Sequence, residues 1–188
     1  MITRSQAIDL LHEHTKNQNL RRHMYAVGFA MRALAEKLDG DPDSWEILGL
    51  LHDADWEETK DMPDEHTKHS LAWLQELGET EGPIVHALMS HNRKHTHLAE
   101  LEGNMEWALE TVDELTGFIV AVALVRPEKS LAAVTPEAVM KKWNQKAFAA
   151  AVERGQIAQC EEKLHIPLPE FIAMTLEAMQ SHHEDLGL

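Results

Sequence analysis

A histidine followed directly by an aspartate, His52-Asp53, closes the apolar run Trp45-Glu46-Ile47-Leu48-Gly49-Leu50-Leu51. An imidazole nitrogen and a carboxylate oxygen side by side at the end of a buried helix can both reach one divalent cation. His23 upstream and Asp113 downstream are suited to complete such a site. Asp113 is the more telling of the two. It stands in the otherwise apolar stretch Trp107 to Val125, and a carboxylate turned inward needs a cation or a hydrogen-bonded partner to offset its desolvation. Singly, each residue has a plainer reading: His23 as a half-buried surface histidine, His52-Asp53 as a polar pair ending a helix, and Asp113 as an acid favoured by a helix N-terminal dipole.

These residues fall in different helices, so packing must bring them together. Apolar spacing is helical nearly everywhere and no run alternates with β-branched residues, which predicts an all-α chain. Thr3 or Ser5 is placed to cap a first helix ending near Asn17, and Asn19 a second whose face runs through Leu20, Met24, Val27, Met31, Leu34 and Leu38. Asp41-Pro42 supplies a cap and a first-turn proline for the helix that ends in His52-Asp53. An acidic loop is expected from Asp55 to Asp64, then helices over Glu65 to Leu77 and Pro83 to His91, and a polar connection from Arg93 to Glu102. The Trp107 to Val125 helix ends before Pro127. Shorter helices follow Pro136, with a final amphipathic one from Leu168 to about His183.

With 188 residues, one sizeable core is expected, so residues 1–188 read as a single helical domain on which the helices beyond about 136 pack. The longest apolar stretch is about half of the roughly twenty residues needed to cross a bilayer. The segment Met1-Ile2-Thr3-Arg4-Ser5 lacks the pattern of a secretion signal, and the one cysteine, Cys160, has no partner within the chain. A cytoplasmic location is therefore expected. The net charge of −15 argues against holding a polymeric nucleic acid, whose phosphates need clustered Lys and Arg. A small anionic substrate is compatible with that charge, because a bound metal ion supplies local positive charge.

In order and context, His23 in Arg21-Arg22-His23-Met24, then Leu50-Leu51-His52-Asp53-Ala54-Asp55, then Thr111-Val112-Asp113-Glu114-Leu115, the chain resembles the HD-domain superfamily of metal-dependent phosphohydrolases. Asp113-Glu114-Leu115-Thr116-Gly117 and Ala123-Leu124-Val125-Arg126-Pro127-Glu128-Lys129 resemble a compact bacterial branch described as predicted HD-superfamily hydrolases. The resemblance implies a helical bundle and a divalent metal (Mn, Fe, Co, Ni, Zn or Mg) held by His23, His52, Asp53 and Asp113. The commoner signature continues His-Asp with Ile-Gly, where this chain has Ala54-Asp55. Two-metal members add a further His after the dipeptide and a His-His pair. His66 and His91 stand at the corresponding places, with Asn92 where the second His of the pair falls. A mononuclear site, or a weakened second site at His66 and His91, is the expectation.

The implied activity is hydrolysis of a phosphate ester of a small metabolite or nucleotide by a metal-bound hydroxide. Asp53, Asp55 and Glu58 are the candidate catalytic carboxylates, the last two near the expected mouth of the site, where a solvated acidic loop is the alternative. Lys60, Arg126 and Lys129 are candidates to bind the substrate phosphate, although basic residues also suit a helix C-terminus. Two other readings are a di-iron oxygenase-like protein, with His66 and His91 completing a second iron site, and a non-catalytic module that binds metal or nucleotide. A monomer or a homodimer fits the C-terminal Trp and Met residues equally.

Overall fold

The computed structural model describes residues 2–188, of which 67 % are helical, with no strand among them. Along the chain run α1 (Arg4–His14), α2 (Gln18–Lys37), α3 (Pro42–Leu51), the single turn α4 (Trp56–Thr59), α5 (Lys68–Glu76), α6 (Pro83–His91), the turn α7 (Arg93–Thr96) and α8 (Asn104–Leu124). A 3₁₀ turn at Leu131–Ala133 leads to α9 (Pro136–Trp143), the short α10 (Arg154–Ile157) and α11 (Gln159–Lys163), then α12 (Leu168–Ser181) and α13 (His183–Leu186).

Local chemistry sets most of these boundaries. Thr3 and Gln6 form a reciprocal capping box on α1. Asn17 accepts from the amides of Asn19 and Leu20, so α2 begins one turn before the Asn19 cap expected from the sequence. Asp41 accepts from the Ser44 amide at 3.1 Å, with Pro42 in the first turn of α3, and Pro83 opens α6 where expected. The expected acidic loop contains α4, and α5 begins at Lys68 rather than Glu65 because Thr67 takes a left-handed φ of 76° that a continuous helix excludes.

The core forms around α2 and α3, which pack on each other more extensively than any other pair. Gly28 and Gly49 allow this approach. A Cβ at Gly49 would stand only 2.6 Å from Gly28 Cα, so the backbones meet where only glycine fits. Met24, Val27 and Leu34 of α2, Leu48 and Leu51 of α3, and Leu109, Val112, Leu115 and Phe118 of α8 are all buried in one continuous cluster. Buried Glu46 binds Arg4 at 2.6 Å and Arg32 at 3.0 Å, tying α1 to the pair. α8 crosses α2, α6 packs on α3 and α8, and α12 covers α2 and α8 from the other side. Among the described residues, no helix is long and apolar enough to cross a membrane.

Candidate metal centre

Where α2, α3 and α8 cross, three side chains point at one another. His23 Nε2 lies 2.9 Å from Asp113 Oδ1, and His52 Nε2 lies 3.5 Å from the same oxygen and 3.8 Å from Asp53 Oδ2. Two donors on one ion, each about 2.0–2.2 Å from it, sit roughly 3.0–3.5 Å apart, so these separations suit a shared cation. Asp113 stands in the middle of α8, the tenth residue of Asn104–Leu124. Its place owes nothing to an N-terminal dipole, which acts within about the first turn.

Hydrogen bonds fix which ring nitrogen each histidine presents. Gly49 carbonyl can only accept, so the 2.8 Å contact with His52 Nδ1 puts a proton there and turns the Nε2 lone pair inward. His52 Nε2 is buried without a hydrogen-bond partner, a state that costs free energy unless a cation or a proton occupies it. On α8, the Thr116 hydroxyl donates to the Asp113 carbonyl at 2.8 Å, which leaves its lone pairs to accept from His23 Nδ1 at 3.4 Å. His23 Nε2 is thereby aimed at Asp113. Thr116 was not singled out from the sequence, yet it lies one turn after Asp113, the spacing that shares a helix face.

A second set of donors meets the other oxygen of Asp53. His66 Nε2 is 3.2 Å and His91 Nε2 3.3 Å from Asp53 Oδ1. His23, His52 and Asp113, and likewise His52, Asp53 and His91, have ligand atoms all within 4.8 Å of one another. Asp53 therefore faces both sets, one oxygen to each. Asn92 does not face them: its amide donates to the carbonyls of Pro63 at 2.7 Å and His66 at 3.0 Å, clamping the loop that carries His66.

The electrostatics are those of a site that wants a cation. Burial alone would depress His52, but the Asp53 and Asp113 carboxylates outweigh it and push its pKa up to about 9. His66 is likewise pushed up to about 9, burial being outweighed by Asp53 and Asp55. Burial favours the neutral form of both Asp53 and Asp113, yet the adjoining imidazoles hold both well below the usual carboxylate range. Without a cation, protons supply the positive charge that the carboxylates demand.

Several sequence expectations need correction. Asp55 is fully buried and does not line a mouth: it accepts from His66 Nδ1 at 2.7 Å and from the Ser70 amide at 3.2 Å. It orients His66. Glu58 lies between His14 Nδ1 at 3.5 Å and His69 Nδ1 at 3.3 Å, beside Trp73, instead of reaching the cluster. Glu57 accepts from the amides of Lys16 and Asn17 and secures the turn between α1 and α2. Arg126 lies two residues beyond Leu124, the end of α8, which is itself a rise of about 16 Å from Asp113, and its guanidinium pairs with Glu128, so neither it nor Lys129 is placed to grip a phosphate held at Asp113. Lys60 is exposed on the turn after α4, near Glu57. His86 pairs with Glu106 at 2.9 Å.

The family profile described as HD domain matches residues 20–129, more than half of the chain and the whole span from His23 to Asp113. No curated protein and no solved structure matches the chain.

Proposed function

Because the chain belongs to the HD-domain family, we propose that it is a metal-dependent phosphohydrolase of small phosphorylated metabolites or nucleotides. The observation that carries this reading is the convergence of His23 Nε2, His52 Nε2 and Asp113 Oδ1, with Asp53 beside them and His52 Nε2 buried without a hydrogen-bond partner. His23, His52, Asp53 and Asp113 hold a divalent ion, Mn, Fe, Co, Ni, Zn or Mg being the candidates. A bound ion there supplies a Lewis acid for phosphoryl oxygen and lowers the pKa of water, effects worth several kcal/mol together.

The protein's own contribution is orientation. Gly49 and Thr116 keep the protons of His52 and His23 on Nδ1, and Asp55 does the same for His66. The excess of acidic residues disfavours polymeric nucleic acid and leaves a small substrate. The convergence of His66 and His91 on Asp53 Oδ1 also supports a two-ion reading, in which iron in both places would suit oxygen chemistry. Metal analysis of the purified protein, with a panel of phosphate esters assayed in added Mn, Co, Ni or Mg, tests both. Turnover with redox-inactive metal is the expected result, and two irons per chain without ester turnover favours the second reading. Bound metal with no turnover of any ester leaves a binding module and sinks the phosphohydrolase.

A further inference from the structure

A cleft of about 330 Å³ lies between α2, α8 and the C-terminal residues, within the size range of small-molecule sites, roughly 300–1,000 Å³. His23 is one of its lining residues, with its side chain 25 % exposed, whereas that of His52 is wholly covered. The cleft therefore opens onto the candidate metal centre through a ligand that both share. Its walls are mainly apolar, with Ala26 from α2, Val120 and Leu124 from α8, Leu186 at the end of α13 and Leu188 after it, and they carry the polar side chains of Asn19, Arg22 and Thr116 besides His23. Leu124 is 49 % exposed, a large aliphatic surface left in contact with water.

Two further features suit this cleft to a ligand. Glycine is disfavoured inside a helix relative to alanine, yet Gly117 sits within α8 on the cleft wall, exposed and with nothing within 4 Å of where its Cβ would stand, so a side chain added there meets open space. The lining also carries no Asp or Glu side chain, in a chain with 32 acidic residues, and it includes Arg22. An anion meets less repulsion here than over the acidic surface in general.

We propose that this cleft seats the alcohol portion of the substrate and that this portion is mainly hydrocarbon, with the phosphate at the His23 end. The inference rests on the phosphohydrolase reading and narrows its substrate class. Asn19, Arg22 and Thr116 offer few partners for the many hydroxyls and ring nitrogens of a nucleoside, several of which would face Ala26, Val120 and Leu124 unpaired, whereas a hydrocarbon leaves nothing of its own unsatisfied there.

The test is calorimetric binding of methyl-, butyl- and octylphosphonate, which cannot be hydrolysed, to Mn-loaded protein. Affinity is expected to rise about two- to fourfold per added methylene until the chain fills the cleft. Gly117→Leu, which puts a large side chain on the cleft wall at an exposed helical position, is expected to flatten that rise while metal content stays that of the parent. Leu124→Ser, at a half-exposed site where the fold is not at stake, is expected to reduce it. Equal affinity for all three phosphonates in the parent overturns the cleft proposal but leaves a metal site that binds phosphonates. A chain-length rise that persists without metal, with no ester turned over, supports the cleft and counts against the phosphohydrolase. A rise unchanged in both variants, or adenosine monophosphate binding more tightly than octylphosphonate, overturns the proposal.

Discussion

The two halves of the donor cluster are built differently. His23 and Asp113 lie within α2 and α8 and His52 caps the C-terminal end of α3, three helices locked by the Gly28 and Gly49 contact and by a buried core. His66 comes from the irregular segment between α4 and α5 and His91 from the last residue of α6, and hydrogen bonds from Asp55 and Asn92 hold the segment that carries His66. Helix packing places ligands by burial of apolar surface, whereas a loop must be pinned by polar contacts one at a time. The first half should tolerate little and the second should be tunable. Asp113→Asn tests the first most severely. It keeps the shape and removes the charge that His23 and His52 face, so loss of the tightly bound ion and a fall in turnover of about 10³-fold or more are expected. Metal content and rate measured on one preparation check this, and retained metal with near-normal rate would break the comparison.

Packing beneath the first half comes next. Gly49→Ala forces a methyl group to within 2.6 Å of Gly28 Cα, and the helices must separate. A loss of about 1–3 kcal/mol in stability is expected, read from denaturant unfolding, with metal affinity falling as α2 and α3 shift. In the second half, His91→Ala is expected to spare the first ion and to cost about 10- to 100-fold in turnover, the scale of groups that tune a metal centre. Asp55→Asn is milder. The amide removes a charge from beside His66 Nδ1 without emptying the space, and affinity for a second ion should drop about tenfold while the first is unaffected. A titration showing both ions weakened equally would mean that the halves are not independent.

How far the sequence revealed each half follows the same division. Helical spacing and the Asp41-Pro42 and Pro83 signals located α3 and α6, and the apolar run around Asp113 marked an inward carboxylate on α8. Periodicity reports which face of a long helix is buried, so elements that pack by face are legible. It does not report where a side chain turns once a helix has ended. Asp55 read as a mouth residue because it follows His52-Asp53, yet the chain folds it inward against His66 and Ser70. Arg126 looked close to Asp113 because it follows the end of the helix that carries Asp113, and only the rise of that helix shows the distance. Thr67 delayed α5 through a left-handed conformation that its residue type does not announce. Asn92 read as a missing ligand, while in the fold it clamps the loop bearing His66.

A pH dependence of stability in metal-free protein has one contributor in each half. His52 and His66 have folded-state pKa values pushed up to about 9, against an ordinary value of 6.5 in the unfolded chain. Below pH 6.5 both states are protonated at these rings and the contribution is fully present. As pH rises from there the unfolded chain loses its protons first, and the stabilisation is lost by the time pH passes about 9. Asp53 and Asp113 act in the opposite sense: their pKa values are held low, so their contribution is present above the ordinary carboxylate value of 3.8 and lost as pH falls. Melting in chelator should therefore show a plateau in mildly acidic buffer and a decline toward pH 9. Metal binding displaces the ring protons, so stabilisation by added Mn should grow over the same interval. His66→Gln removes one of the two raised groups and should leave a shallower decline that belongs to His52 alone. An unchanged slope in that variant would place the whole effect in the helical half, and a metal-free Tm that climbs from pH 6.5 to 9 would contradict the charge balance described for both.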